Sequence, residues 1–90
     1  MELLTKSGTY TPYEPDCESL ARLEVYRLSE DEMREIEEQG MPPYAIMEFL
    51  GFENPHYFVE PGAWYLERSF VAYNDVSGVL VIEVRKSLNV

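Results

Sequence analysis

The sequence of 90 residues contains one cysteine, Cys17, and one histidine, His56. A single cysteine excludes an internal disulfide and a cysteine-based zinc site, which favours a reducing compartment and makes the cytoplasm the expected location. The first ten residues have neither a cationic segment nor a long apolar run, so we expect no secretory signal. The longest apolar runs have four residues, as in residues 79–82. A helix that crosses a bilayer needs roughly twenty, so we expect no membrane contact.

Basic residues are also scarce. Seven Lys and Arg stand against 17 Asp and Glu, which gives a formal net charge of −10 at pH 7 and a pI near 4.3. Such a chain is repelled by phosphate backbones and anionic lipid, so we expect no direct binding to nucleic acid. The glycine-rich patterns that hold nucleotide phosphates are missing from the sequence, and nothing in it implies a cofactor.

Apolar residues, in contrast, are plentiful. They make up 46% of the chain and include twelve aromatic residues, which is far more than an acidic disordered tail contains. Ninety residues suffice for one domain with a modest core, and we expect a single function on a single surface.

The most informative segment is residues 29–38, which contains six carboxylates and one arginine. Ser29 and Glu32 have the spacing of a capping box, and Leu28 and Met33 have the spacing of the hydrophobic staple that accompanies it. The sequence therefore predicts a helix that begins after Ser29. The acids of its first turn are each stabilised by about 0.3–1 kcal/mol at the positive end of the helix dipole. Glu35, Glu37 and Glu38 lie toward the negative end of the helix dipole, where a carboxylate is mildly unfavourable.

A second, shorter helix is predicted between Pro43 and Leu50. Gly40 ends the first helix, and proline is tolerated in a first helical turn. Gly51 fits a left-handed cap, with Phe52 placed to contact Met47. Apolar side chains go nearly all the way round this helix, so we expect it to be central.

Three strands are predicted from alternating and β-branched patterns. Residues 20–28 form a half-buried strand whose expected faces are Ala21, Leu23 and Val25 inward, with Arg22, Glu24 and Tyr26 outward. Residues 64–73 and 79–86 form a hairpin across the loop 74–78. The hairpin side chains expected to face the core are Leu80, Ile82 and Val84, together with Trp64, Leu66 and Phe70.

These elements predict a small α+β domain in the order β-α-α-β-β, with two short helices on one face of an antiparallel sheet. Residues 1–19 are expected to form an irregular or partly extended arm, and residues 20–90 a single domain. The sheet would have three strands, or four if the arm contributes one. Exposed edge strands can pair with another chain, so a homodimer is one expectation.

Catalytic and metal-binding patterns are weak. His56 and Glu60 are flanked by Pro55 and Pro61, which oppose the helical spacing that would direct both side chains at one ion. Cys17 stands between Asp16 and Glu18, whose charges disfavour a reactive thiolate. We therefore expect no catalytic residue, no metal site and no enzyme. The alternative is a small-ligand or enzymatic domain that uses the aromatic-lined space around His56 and Glu60.

The function expected from the sequence is that of a non-enzymatic acidic interaction protein that binds a basic surface of a protein partner. The residues expected to form its binding surface are Glu30, Asp31, Glu32, Glu35, Glu37, Glu38 and Tyr26. One concrete form is an inhibitor whose carboxylates occupy a nucleic-acid-binding surface. Small phage proteins of the anti-CRISPR or anti-restriction kind act in this way in the host cytoplasm, and the chain is similar to them in composition and size alone. A further alternative is an antitoxin or assembly subunit that pairs through a sheet edge.

Overall fold

A computed structural model of the protein describes residues 1–11, 19–52 and 66–87. Its elements, in chain order, are β1 (Glu2–Lys6), β2 (Ser19–Arg27), α1 (Glu30–Gln39), α2 (Pro43–Phe49), β3 (Leu66–Tyr73) and β4 (Val79–Ser87). The four strands form one antiparallel sheet in the order β1-β2-β4-β3. The predicted α+β class is confirmed, and the fourth strand lies in the predicted arm. No helix in these three ranges is long and apolar enough to span a bilayer.

The hairpin of β3 and β4 confirms the strand pairing expected from the sequence. The side-chain oxygen of Asn74 accepts hydrogen bonds from the amides of Val76 and Ser77, at 2.9 and 3.0 Å. Gly78 closes the loop with a φ of 76°, a left-handed conformation that favours glycine. This loop therefore holds Asp75 and Val76 at a fixed place beside the first helix.

The core lies between the two helices and one face of the sheet. Leu80 and Ile82 of β4 are fully buried at its centre. Phe70 pairs with Ile82 and packs against the core, which is the face expected for it. A register shift between Phe70 and Ala72 then brings Tyr73 opposite Leu80, so that Tyr73 also packs against the core. Uninterrupted alternation from Phe70 would place Tyr73 on the other face of the strand, but the bulge inverts the alternation and leaves no clear signal in the sequence.

The predicted faces of β2 were wrong. Its register pairs Tyr26 with Leu80 and Glu24 with Ile82. The polar side chains of β2 therefore lie on the face of the sheet that carries the core. The reason is Leu28, which continues the same alternation and is buried in the core at the start of α1. Since successive strand residues point to opposite faces, a buried Leu28 brings Tyr26 and Glu24 inward with it.

The opposite face of the sheet carries the apolar residues of β2 instead. Ala21 is only 2% exposed there, although no helix of the described chain covers that face. Tyr10 pairs with Ala21 through two backbone hydrogen bonds of 2.8 Å, and its hydroxyl donates to Glu83 of β4 at 2.5 Å. The Tyr10 side chain therefore crosses β2 and covers Ala21.

Each helix is held to the sheet by few residues. Ile36 is the buried residue of α1, and Ile46 and Met47 are those of α2. α2 is less central than expected, because Tyr44 is 74% and Phe49 43% exposed. The end of α2 is as predicted: the amide of Phe52 donates to the Met47 carbonyl at 2.8 Å, and that of Gly51 donates to Glu48 at 3.1 Å, which is a Schellman motif.

Candidate functional site

The first turn of α1 is built around Ser29 and Glu32. The predicted capping box is confirmed: Glu32 donates its amide to the Ser29 hydroxyl at 3.2 Å, and Ser29 donates its amide to the Glu32 carboxylate at 2.8 Å. The amino group of Met1 lies 3.0 Å from the same carboxylate. Burial opposes ionisation of Glu32, but the Ser29 amide and hydroxyl and the terminal amine together lower its pKa below the usual value. Glu32 therefore has a structural role at the start of the helix.

The other acids of α1 lie on its outer surface. Asp31 forms an exposed ion pair with Arg34 at 3.1 Å, and Glu35, which is half-buried, accepts a hydrogen bond from Gln39 at 3.0 Å. Within the described ranges no cation lies at ion-pair distance from the remaining acids of the helix, which are Glu30, Glu37 and Glu38. We refer to Glu30, Asp31, Glu35, Glu37 and Glu38 together as the α1 acidic surface.

Tyr26 was predicted to form one binding surface with the acids of α1, but it lies on β2 and is not part of the α1 acidic surface. Its ring meets Phe52 edge-on, with 5.2 Å between ring centroids, and its hydroxyl donates to Glu24 at 2.8 Å. Burial and this hydrogen bond to a carboxylate raise the pKa of Tyr26 to about 12. Tyr26 is thus partly buried and packs against the core.

Glu24 is the buried carboxylate of the core, with 5% exposure. Its second oxygen accepts from the Arg22 guanidinium at 2.8 and 3.0 Å, so both oxygens are bonded. The three partners stand at alternate positions of one strand, which places them on one face. Arg68 of β3 and Arg22 of β2 both lie opposite Val84 of β4. The charge of Arg68 partly offsets the rise in the pKa of Tyr26.

A groove of about 800 Å³ separates α1 from the loop of the β3–β4 hairpin. Its apolar lining is formed by Met33, Ile36, Met41, Ile46, Tyr73 and Val76. Glu30 and Glu37 stand on the α1 side and Asp75 on the loop side, with Arg34 as the cation of the lining. Burial, and then the charges of Asp75 and Glu37, raise the pKa of Tyr73. We call this space the α1–hairpin groove.

The two edge strands, β1 and β3, each contain a register shift. In β1 it falls between Leu3 and Thr5, and in β3 between Phe70 and Ala72. Bulges of this kind twist an edge and are one way in which sheets avoid pairing with other chains. The expected pairing through a sheet edge stays a prediction, and these bulges weigh against it.

The residues of the enzymatic alternative, His56 and Glu60, lie outside the described residues, as does Cys17. Among the residues that the structure does describe, no three His, Cys, Asp or Glu side chains are grouped so that they could hold a metal ion.

Comparisons of the chain with models of known protein families, with curated protein sequences and with solved structures find no match. The chemistry of the surface is therefore the basis on which a function can be inferred.

Sequence reasoning missed two features of this molecule. The α1–hairpin groove joins Met33 and Met41 to Val76, residues that are distant in the chain, so no local pattern reveals it. Its one sequence signal is the spacing of Glu30, Met33, Arg34 and Glu37, which places them on one side of a helix. The burial of Glu24 also had a signal in the sequence. Arg22, Glu24 and Tyr26 alternate in step with the apolar Leu28, so all four lie on one face of the strand.

Proposed function

We propose that this protein is a non-enzymatic interaction protein that binds a basic surface of a protein partner through the α1 acidic surface. The observation that supports the proposal is the solvent exposure of Glu30, Glu37 and Glu38 without cation partners in the described part of the chain. Glu37 and Glu38 also lie near the negative end of the helix dipole, where a carboxylate is mildly unfavourable. Their presence there is not explained by the stability of the helix.

The concrete form that we propose is occupation of a nucleic-acid-binding surface on the partner. Exposed carboxylates on one rigid helix present a regular array of negative charge, as a phosphate backbone does. Binding of this kind gains speed from electrostatic steering and weakens as salt screens the charges. Inhibition of the partner would follow from competition with its nucleic acid.

The first experiment is affinity capture from a cell lysate with elution at stepped salt, followed by identification of the released protein. The affinity of the purified partner is then measured with a charge-reversal variant, Glu37→Lys with Glu38→Lys. We expect this variant to weaken binding at least tenfold at low salt, because each change replaces an attractive charge with a repulsive one. Circular dichroism checks that the fold is intact.

The matched control compares single changes: Glu48→Lys, at an exposed acid of α2 outside the groove lining, changes the net charge as much as Glu37→Lys alone does. We expect it to weaken binding by less than about threefold, through the overall field alone. Equal losses in the two variants would contradict a specific role for the α1 acidic surface. Failure of nucleic acid to compete with the protein would remove the proposed inhibition while leaving the interaction.

A further inference from the structure

We propose that the α1–hairpin groove binds a basic amphipathic helix of the protein partner, with large apolar side chains in the groove and Lys or Arg on either side of them. This inference rests on the proposed function, because it assumes a basic partner, and it adds the chemistry of the segment that is recognised. Acidic charge alone would bind many basic surfaces, whereas a partly apolar groove within that charge selects among them.

The lining of the groove suits apolar side chains. Met33 and Met41 contribute flexible thioether chains that can adapt to the shape of a partner. Val76, at the tip of the hairpin loop, is 87% exposed, so an apolar side chain stands in water at the rim of a partly apolar groove. Covering these residues with an apolar side chain would remove their surface from water, which is favourable.

The charges around the lining specify the sign and spacing of the partner. Glu30 and Glu37 are seven residues apart on α1, which corresponds to about 10 Å along the helix axis. Asp75 lies on the other side of the groove. A partner helix with cations at positions i and i+7 and leucines at i+3 and i+4 matches this arrangement, because its cations have the same separation and its leucines lie between them.

Arg34 is the one side chain of the lining that opposes a basic ligand. It forms an ion pair with Asp31 in which both side chains are mostly exposed, and such pairs contribute little to stability. Its removal should therefore leave the fold intact and increase the negative charge of the groove. This gives a test in which the inference predicts tighter binding, an outcome that unfolding cannot produce.

The ligand test uses the full chain with methyl-labelled methionines and two synthetic helical peptides. The first peptide has Lys at i and i+7 and Leu at i+3 and i+4; the second has Ser in place of each Leu. We expect the first peptide to bind at least tenfold more tightly and to shift the methyl signals of Met33 and Met41. Met47, buried in the core, and Met1, outside the groove lining, serve as internal controls whose signals stay in place.

Two pairs of variants separate the contributions of charge and apolar contact. Arg34→Gln should tighten binding of the first peptide about threefold at low salt, while Arg27→Gln, an exposed arginine outside the groove lining, should have little effect. Val76→Ser should weaken binding about fivefold, while Val71→Ser, at another exposed valine, should not.

The outcomes distinguish this inference from the proposed function. Equal binding of the two peptides, with no effect of Val76→Ser, would overturn the groove inference and leave an acidic surface that binds by charge alone. Binding of the first peptide without shifts at Met33 and Met41 would also overturn it. Loss of peptide binding in Glu37→Lys with Glu38→Lys, together with tighter binding in Arg34→Gln, would support both. Absence of binding by either peptide at low salt would overturn the groove inference alone, because the charge-reversal test with the captured partner decides the proposed function.

Discussion

Glu24 on β2 and Glu37 on α1 have the same side chain in opposite surroundings. Glu24 is buried on the core face of the sheet, with both oxygens bonded, to Tyr26 and Arg22. Glu37 is exposed and has no cation partner in the described ranges. A buried carboxylate is part of the fold, because removing it leaves its donors unsatisfied. An exposed one can change at little cost to stability, so its presence leaves room for a role in binding.

Glu32 lies between these two extremes. It belongs to α1, and the sequence grouped it with the binding residues, yet its carboxylate is used by the Ser29 amide and the Met1 amine. Acids of one helix therefore divide by their contacts into those that hold the helix start and those that face solvent. The predictions below test this division, in order of decreasing effect on stability.

The largest effect is expected for Glu24→Gln. The amide keeps the shape of the side chain, but an NH2 group replaces one of the two carboxylate oxygens, and Arg22 and Tyr26 donate to different oxygens. We expect the free energy of unfolding to fall by about 1–3 kcal/mol. Glu37→Gln is the matched control and should change it by less than about 0.5 kcal/mol. Urea unfolding followed by circular dichroism measures both, and equal effects would show that burial of Glu24 does not matter for stability.

A smaller effect is expected for Ser29→Ala, which removes the acceptor for the Glu32 amide. The loss should be about 1 kcal/mol. Because the contacts of Glu32 lower its pKa, they contribute stability above its unfolded pKa, and that contribution is lost as pH falls through the folded pKa. The Ser29 hydroxyl is one of these contacts, so the part of the Ser29→Ala loss that acts through the Glu32 carboxylate should disappear in acid.

Ser77→Ala is the control for the cap, since the Ser77 hydroxyl accepts only a long hydrogen bond of 3.4 Å from Val79. It should change stability by less than about 0.5 kcal/mol at any pH. A loss from Ser29→Ala that does not vary between neutral and acid pH would contradict the linkage to Glu32.

Local signals in the sequence sufficed for the helix ends and the hairpin. Ser29 with Glu32, and Gly51 with Phe52, are short-range patterns whose geometry does not depend on the rest of the fold. The faces of β2 could not be predicted in the same way. Both faces of that strand carry apolar residues. Which face is directed at the core depends on the burial of Leu28, which distant parts of the chain bring about. The groove depends on the same long-range packing, so the sequence indicated the acids but not the apolar lining between them.

The smallest effect on stability at neutral pH is expected for Tyr26→Phe, which keeps the ring against Phe52 and removes one donor from Glu24. We expect a loss of about 0.5 kcal/mol, the low end for a hydrogen bond, because Tyr26 is only partly buried. The folded pKa of about 12 exceeds the ordinary value of 10.0, so the hydroxyl contributes stability below pH 10 that is lost as pH rises toward 12. The difference in the free energy of unfolding between the parent protein and Tyr26→Phe, measured by urea unfolding, should therefore narrow between pH 10 and pH 12.

Tyr26→Phe should also leave the binding of the basic amphipathic peptide unchanged, because Tyr26 lies outside the groove. A constant stability difference up to pH 12 would exclude Tyr26 as the titrating group, and a loss of peptide binding would return it to the interaction surface.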